Sequence, residues 1–138
     1  MALWTPPLSP LPFHLVTLTH PEWEQALACA KRLGDDSLPE LRLDLFPDQD
    51  PEGLVDALRR RCLVTCRRVS EGGRWPDVDE AGRMAALAKA VRGRPAWLDL
   101  EWDLPIPAEI QQARTHVRLL RSVHVPQGVF DLEARLRD

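Results

Sequence analysis

Apolar and polar residues alternate one for one in several short stretches of this chain. In Glu40-Leu41-Arg42-Leu43-Asp44-Leu45 three leucines fall on one side of an extended backbone and three charges on the other, because successive side chains of a strand point to opposite faces. Val64 and Cys66 oppose Thr65 and Arg67, Leu98 and Leu100 oppose Asp99 and Glu101, and Ser122 and His124 flank Val123. The pattern predicts five strands, over 14–19, 40–46, 62–68, 96–102 and 117–124. Their starts lie 26, 22, 34 and 21 residues apart, which leaves room for a crossover helix in every gap.

Each gap carries helix signals. Pro21 stands where a first helical position would fall, with Glu22 and Glu24 beside it and Gly34 as the stop. Asp50-Pro51 opens a second helix with Leu54, Val55 and Leu58 on one face. Asp77 and Glu80 have capping-box spacing, Ala81, Met84, Ala85, Ala88 and Val91 recur at helical period, and Gly93 ends the third helix. Pro107 starts a fourth, and 131–137 reads as the first turns of a fifth. Upstream, Pro6, Pro7, Pro10 and Pro12 deny residues 1–12 both helix and central strand. We read those residues as a proline-rich lead-in to a single α/β domain over 13–138.

Repeated βα units build a parallel sheet, either open and doubly wound or closed as a (β/α)8 barrel. A doubly wound sheet is covered on both faces and has near-continuous apolar strands, unlike these. One apolar and one ionic side per strand fits a barrel, whose outer face meets helices while its inner face holds a site. The expected fold is therefore a partial (β/α)8 TIM-type barrel of about five parallel units, since a complete one needs about 250 residues. A solvated sheet face gives the same alternation and is the bland alternative.

The 44% apolar and 28% charged composition is that of a globular protein and argues against disorder or a collagen. Eighteen basic against 21 acidic residues give a net charge of −3, without the basic excess that phosphate backbones demand, so no nucleic-acid partner is expected. The longest stretch free of charge, 1–21, holds five prolines. It suits neither a membrane span nor a signal peptide, and a cytoplasmic location is expected. Cys29, Cys62 and Cys66 are an odd number without zinc spacing, and all three read as small buried apolar residues in a reducing compartment.

On the barrel reading the ionic sides converge near the C-terminal strand ends and gather Glu40, Arg42, Asp44, Arg67, Asp99, Glu101 and His124, a set able to pair internally and to meet a polar, anionic ligand. Glu71-Gly72-Gly73 brings a carboxylate over those ends, with glycines that permit a tight turn. The loop lacks the GK[ST] ending of a P-loop and the GxGxxG of a dinucleotide site. His124, at a strand end, is suited to proton transfer near pH 7. His14, His20 and His116 read as surface residues, and Lys31 and Lys89 as solvated positions on helices.

The strings Glu40-Leu-Arg-Leu-Asp44, Thr65-Cys-Arg-Arg-Val-Ser-Glu-Gly-Gly73, Leu98-Asp-Leu-Glu101 and Ser122-Val-His124, in that order and spacing, resemble type I 3-dehydroquinate dehydratase. The similarity runs from about Phe13 to the C-terminus and covers roughly the first five of the family's eight βα units. It implies a lyase of the shikimate pathway of aromatic amino-acid biosynthesis, which removes water from 3-dehydroquinate to give 3-dehydroshikimate. In that family a lysine forms an imine, or Schiff base, with the substrate ketone, an electron sink for the neighbouring carbanion or enamine. The resemblance assigns His124 to moving protons beside the imine and to the departing hydroxyl, and Glu71 to orienting that histidine. Glu40, Arg42, Arg67 and Thr17 match substrate-binding positions, and neither a metal nor a dissociable cofactor is implied. Val125 and Pro126 depart from the Asp or Asn and the aromatic residue that usually follow the family's histidine. The imine lysine, like the later arginine, serine and glutamine of the substrate site, belongs beyond Asp138, so little or no dehydratase activity is expected of these 138 residues alone.

Two readings follow. One is a dehydratase that binds a small anionic substrate, 3-dehydroquinate. The other is a catalytically inactive remnant of that fold, serving as a binding or assembly module. An unrelated barrel aldolase or isomerase fits the joint order of the motifs less well. An open edge at the fifth strand predicts a homo-oligomer or completion by another chain.

Overall fold

The computed structural model describes residues 14–125; the lead-in over 1–12 and the fifth helix over 131–137 lie outside the described residues. Five parallel strands, β1 (His14–Thr17), β2 (Ser37–Arg42), β3 (Leu63–Thr65), β4 (Trp97–Glu101) and β5 (Arg118–Ser122), pair in that same spatial order. Between them run α1 (Trp23–Lys31), α2 (Pro51–Ala57), α3 (Glu80–Arg92) and α4 (Ala108–Ala113). Right-handed crossovers that never reverse direction put every helix on one face of the sheet, whereas a doubly wound sheet reverses once. The fold is thus a five-stranded arc of a TIM-type barrel.

The register sorts side chains between its two faces. Thr17 pairs with Glu40, Glu40 with Leu63, Leu63 with Trp97, and Glu101 with Ser122, so Thr17, Glu40, Arg42, Thr65, Asp99, Glu101 and Ser122 share the helix-free face. The opposite face supplies the core, where Leu41, Val64, Leu98 and Leu100 meet Ala26, Leu54, Val55, Leu87, Ala90, Val91 and Ile110. Each fully buried Leu or Val among them stabilises the fold by roughly 1.5–3 kcal/mol.

Several element ends differ from expectation. β2 starts at Ser37 and stops at Arg42, after which Leu43–Leu45 tighten into a 3₁₀ turn that takes Asp44 off the strand. Pro21 precedes α1, whose N-cap is Glu22, and the C-cap is Arg32, two residues before Gly34. Asp79 caps α3 by accepting from Gly82 N at 3.1 Å, while Asp77 is engaged by Ser70 N at 3.1 Å. The capping-box spacing therefore picked the aspartate that ties down the preceding loop. Asp50 caps α2 as the sequence implied, accepting from Gly53 N at 3.0 Å. Cys62 and Cys66 are buried, but Cys29, on α1, is only partly so, and all three thiols are free. Among the described residues no helix is long and apolar enough to cross a membrane.

Candidate functional site

Asp44, read from the sequence as one of the converging charges, is instead the brace beneath the site. Its fully buried carboxylate accepts from Arg42 Nε and Nη2 at 2.8 and 2.6 Å and from the backbone N–H of Arg67 and Arg74 at 3.1 and 2.9 Å. Burial raises its pKa, but these four bonds outweigh burial and hold the carboxyl below its ordinary value. One side chain thereby fixes the end of β2 and both ends of the loop that follows β3. Within that loop Gly72 has φ +84°, and a Cβ on Gly73 would stand 2.1 Å from the Arg67 carbonyl oxygen. The first glycine is required by backbone conformation and the second by close approach.

The helix-free face carries the remaining predicted charges. Thr17 Oγ1 donates to Glu40 Oε1 at 2.9 Å, and Thr65 Oγ1 donates to Asp99 Oδ2 at 2.7 Å. Both carboxylates are held by a neighbouring strand's hydroxyl and are less than a tenth exposed. Arg67 approaches Asp99 Oδ2 only to 3.8 Å, an ion pair too long for a hydrogen bond. The polar face is therefore built rather than merely wet, since a solvated face would not bury two carboxylates against threonines.

His124 and Glu71 line one cleft of about 140 Å³ with Trp102, Asp103 and Ser122. Glu71 reaches it from a short 3₁₀ turn, Val69–Glu71, and accepts from Arg68 Nε and Nη2 at 3.4 and 3.1 Å. The two residues share the cleft without sharing a hydrogen bond. His124 Nδ1, Ser122 Oγ and Asp99 Oδ1 are buried and have no partner among the described residues.

Glu101 is turned to a partner on α3 that strand alternation does not indicate. Arg83 of α3, 1% exposed, donates to Glu101 Oε1 at 2.7 Å and Oε2 at 3.1 Å, to the Cys66 carbonyl at 2.8 Å, and to Glu80. Burial lowers its pKa, but the hydrogen bonds it donates to Glu80 and Glu101 outweigh burial and raise it, so the guanidinium stays charged. Helical periodicity picks out Ala81, Met84, Ala85, Ala88 and Val91, of which only Val91 is buried; the buried face of α3 carries Arg83, Leu87, Ala90 and Val91. The i+3 spacing from Glu80 signals only that local ion pair, not the bond to Glu101.

Other candidates lie apart. Lys31 and Lys89 are exposed on α1 and α3, and Lys89 lines an outer cleft with Asp48, Asp50 and Asp79. His14 and His116 are exposed as expected. His20 is partly buried with an unpartnered Nδ1, in a cleft with Cys29 and Arg32 on the helical side.

Comparison with known proteins bears on this arrangement. The family model described as Type I 3-dehydroquinase matches residues 14–138. A 3-dehydroquinate dehydratase of Desulfotalea psychrophila is 37% identical over 86 residues, which are 62% of this chain and 38% of that protein. One of Pyrobaculum aerophilum is 36% identical over 89 residues, 62% of this chain and 29% of that protein. The chain therefore matches well under half the length of either relative. A solved structure, dehydroquinate dehydratase and shikimate dehydrogenase from S. pombe AroM, superimposes with TM-score 0.57 at 22% identity, over 78% of this chain and 24% of that one. That likeness speaks for the fold alone.

Proposed function

The chain belongs to the type I 3-dehydroquinase family, and from that premise we propose that its helix-free face is one part of a site that binds 3-dehydroquinate and removes water from it. The observation that carries this reading is the set of pinned carboxylates beside an arginine. Glu40 accepts from Thr17, Asp99 accepts from Thr65, and the Arg67 guanidinium stands 3.8 Å from Asp99 with no shorter side-chain bond among the described residues. A ring bearing a carboxylate and several hydroxyls needs such a combination: acceptors for hydroxyl protons and a guanidinium for anionic oxygen. Glu40, Arg42, Arg67 and Thr17 bind the substrate in this reading. His124 removes the proton next to the substrate ketone and returns one to the departing hydroxyl, with Glu71 across the same cleft to orient it.

Proton removal beside a ketone is far easier once the ketone is a protonated imine. Both lysines of this chain, Lys31 and Lys89, are exposed on helices, remote from the polar face. The amine must therefore come from outside the described site, and the dehydratase reading requires a further stretch of chain or a partner. The same observation favours the second reading, a dehydratase-like module that binds without turnover.

Two measurements test these readings. A titration of the chain with 3-dehydroquinate, followed by NMR, is expected to move the signals of His124, Arg42 and Arg67; spectra unchanged at saturating ligand refute substrate binding. Incubation with 3-dehydroquinate and borohydride is expected to leave the intact mass unchanged. An adduct on Lys31 or Lys89 overturns the need for an outside amine.

A further inference from the structure

Three buried polar atoms have no partner among the described residues on the sheet's last two strands or just beyond them: Asp99 Oδ1 on β4, Ser122 Oγ on β5 and, two residues on, His124 Nδ1. Buried polar groups are nearly always satisfied, because an unpaired one forfeits its bonds to water, so each exception asks for a reason. Asp99 is the most demanding. It is 8% exposed, it is a carboxylate, and only Oδ2 is engaged, by Thr65 Oγ1 at 2.7 Å and more distantly by Arg67.

The register places the two strand residues on one face. Asp99 pairs with Leu120 and Glu101 with Ser122, so Asp99 and Ser122 sit on the same helix-free face, two residues apart along adjacent strands. Thr65 holds the carboxylate by one oxygen and leaves the other free. An acceptor oxygen diagonally across two strands from a hydroxyl that both donates and accepts matches a ligand hydroxyl, which also does both. The Asp99 oxygen does not suit a ligand carboxylate, which it repels, and Arg67 serves that role better.

We propose that Asp99 and Ser122 form a hydroxyl-binding subsite within the candidate site, with Asp99 Oδ1 accepting from a ring hydroxyl of the bound polyol and Ser122 Oγ closing the bond pair. The inference rests on the reading of the face as a 3-dehydroquinate site and adds to it the residues that select for a hydroxyl. It also accounts for Thr65, which orients Asp99 rather than meeting the ligand.

The test compares ligands as well as proteins. Affinities of the wild-type chain and of Asp99→Asn are measured for 3-dehydroquinate and for analogues that each lack one ring hydroxyl. A hydrogen bond to a charged group is worth about tenfold or more in affinity, so Asp99→Asn is expected to weaken 3-dehydroquinate by about that factor. For one analogue the loss should disappear, wild type and variant binding it equally. A loss of the same size for every ligand means a structural role and overturns the subsite, as does no loss at all. If the wild type binds none of the ligands, the reading of the face as a 3-dehydroquinate site fails with it, an outcome distinct from the other two. Should Asp99→Asn not fold, the Asp99 carboxyl carbon of the labelled wild type gives the answer. Its resonance is expected to shift with 3-dehydroquinate and to stay put with the decisive analogue; equal shifts with every ligand overturn the proposal.

Discussion

Replacing Asp44 by Asn tests the brace beneath the site. The wild-type carboxylate accepts four hydrogen bonds, two from Arg42 and two from the Arg67 and Arg74 backbones. An asparagine keeps one acceptor oxygen and turns an NH₂ group toward the other two donors, so at least two bonds are lost. Arg42, with its side chain 11% exposed, is left without its closest anion. Breaking a buried ion pair from one side costs about 3–5 kcal/mol. Glu40 also faces the Arg42 charge and offsets some of the loss, which puts the expected cost at the lower end, about 3 kcal/mol. For a chain of this size that is on the order of 10 °C in melting temperature. The pH dependence adds a second criterion. The folded-state pKa of Asp44 lies below its unfolded value, so its stabilisation is fully present above about pH 4 and is lost as pH falls through the folded pKa. Urea unfolding of wild type and Asp44→Asn at pH 7 and at successively lower pH measures both. A gap below about 1 kcal/mol at pH 7 refutes the brace, and a gap that stays constant into acid refutes the role of the charge.

Further outcomes follow from other contacts. Gly73→Ala forces a Cβ to within 2.1 Å of a carbonyl oxygen, whereas Gly72→Ala meets nothing within 4 Å and bears only the strain of φ +84°; thermal melts should show Gly73→Ala the worse, by about 1 kcal/mol or more, and the reverse order counts against the close approach. Arg83→Met should cost about 3–5 kcal/mol by stranding Glu101, and the double variant with Glu101→Met should cost less than the single one; denaturant titrations that find the two changes additive disprove the coupling. Burial pushes the Cys62 thiol up to about 12 and Cys66 higher still, so a thiol reagent at pH 8 should modify Cys29 first and the others only as fast as the chain opens; rapid labelling of three thiols contradicts the packing. Sedimentation should find a dimer or larger assembly, because β1 and β5 each pair on one side only among the described strands; a well-folded monomer argues otherwise.

The architecture was legible because alternation is clear in β2 and β4. They turn leucines to the helices and Glu40, Arg42, Asp99 and Glu101 to the other face, and strand starts 21 to 34 residues apart leave room for one helix each. Fold and polar face followed from that pattern, as did the Asp50 cap and the Gly93 stop. What stayed hidden was the fate of individual charges. Alternation assigns a side chain to a face, yet Asp44 lies past the point where β2 tightens into a 3₁₀ turn, and local backbone bonding rather than strand parity decides its direction. Glu101 has the correct parity but is captured by Arg83, seventeen residues beyond the Cys66 carbonyl it also binds. No local pattern reports such a long-range partner. The expected Glu71–His124 hydrogen bond is not formed, and competition decides that too, since Arg68 holds both oxygens of Glu71 in this structure.

The layering of the helix-free face links the site to assembly. Toward the N-terminal strand ends, Leu15, Leu38, Leu63, Trp97 and Leu120 surround an apolar hollow of about 170 Å³, one residue from each strand. Leu15 and Leu120 are 45% and 40% exposed, and Arg118 lies 5.5 Å over the Trp97 ring. On β2 the change from floor to site takes four residues, from Leu38 through Glu40 to Arg42. A charge pair above a dry apolar floor interacts more strongly than one above water, so the attraction between Arg67 and Asp99, and the pull of Arg67 on an anionic ligand, depend on what seals the hollow below. A second copy of this chain seated on those leucines is therefore expected to strengthen ligand binding without touching the ligand. Apparent affinity for 3-dehydroquinate should then rise with protein concentration as the chain self-associates, and an affinity independent of concentration counts against that seal.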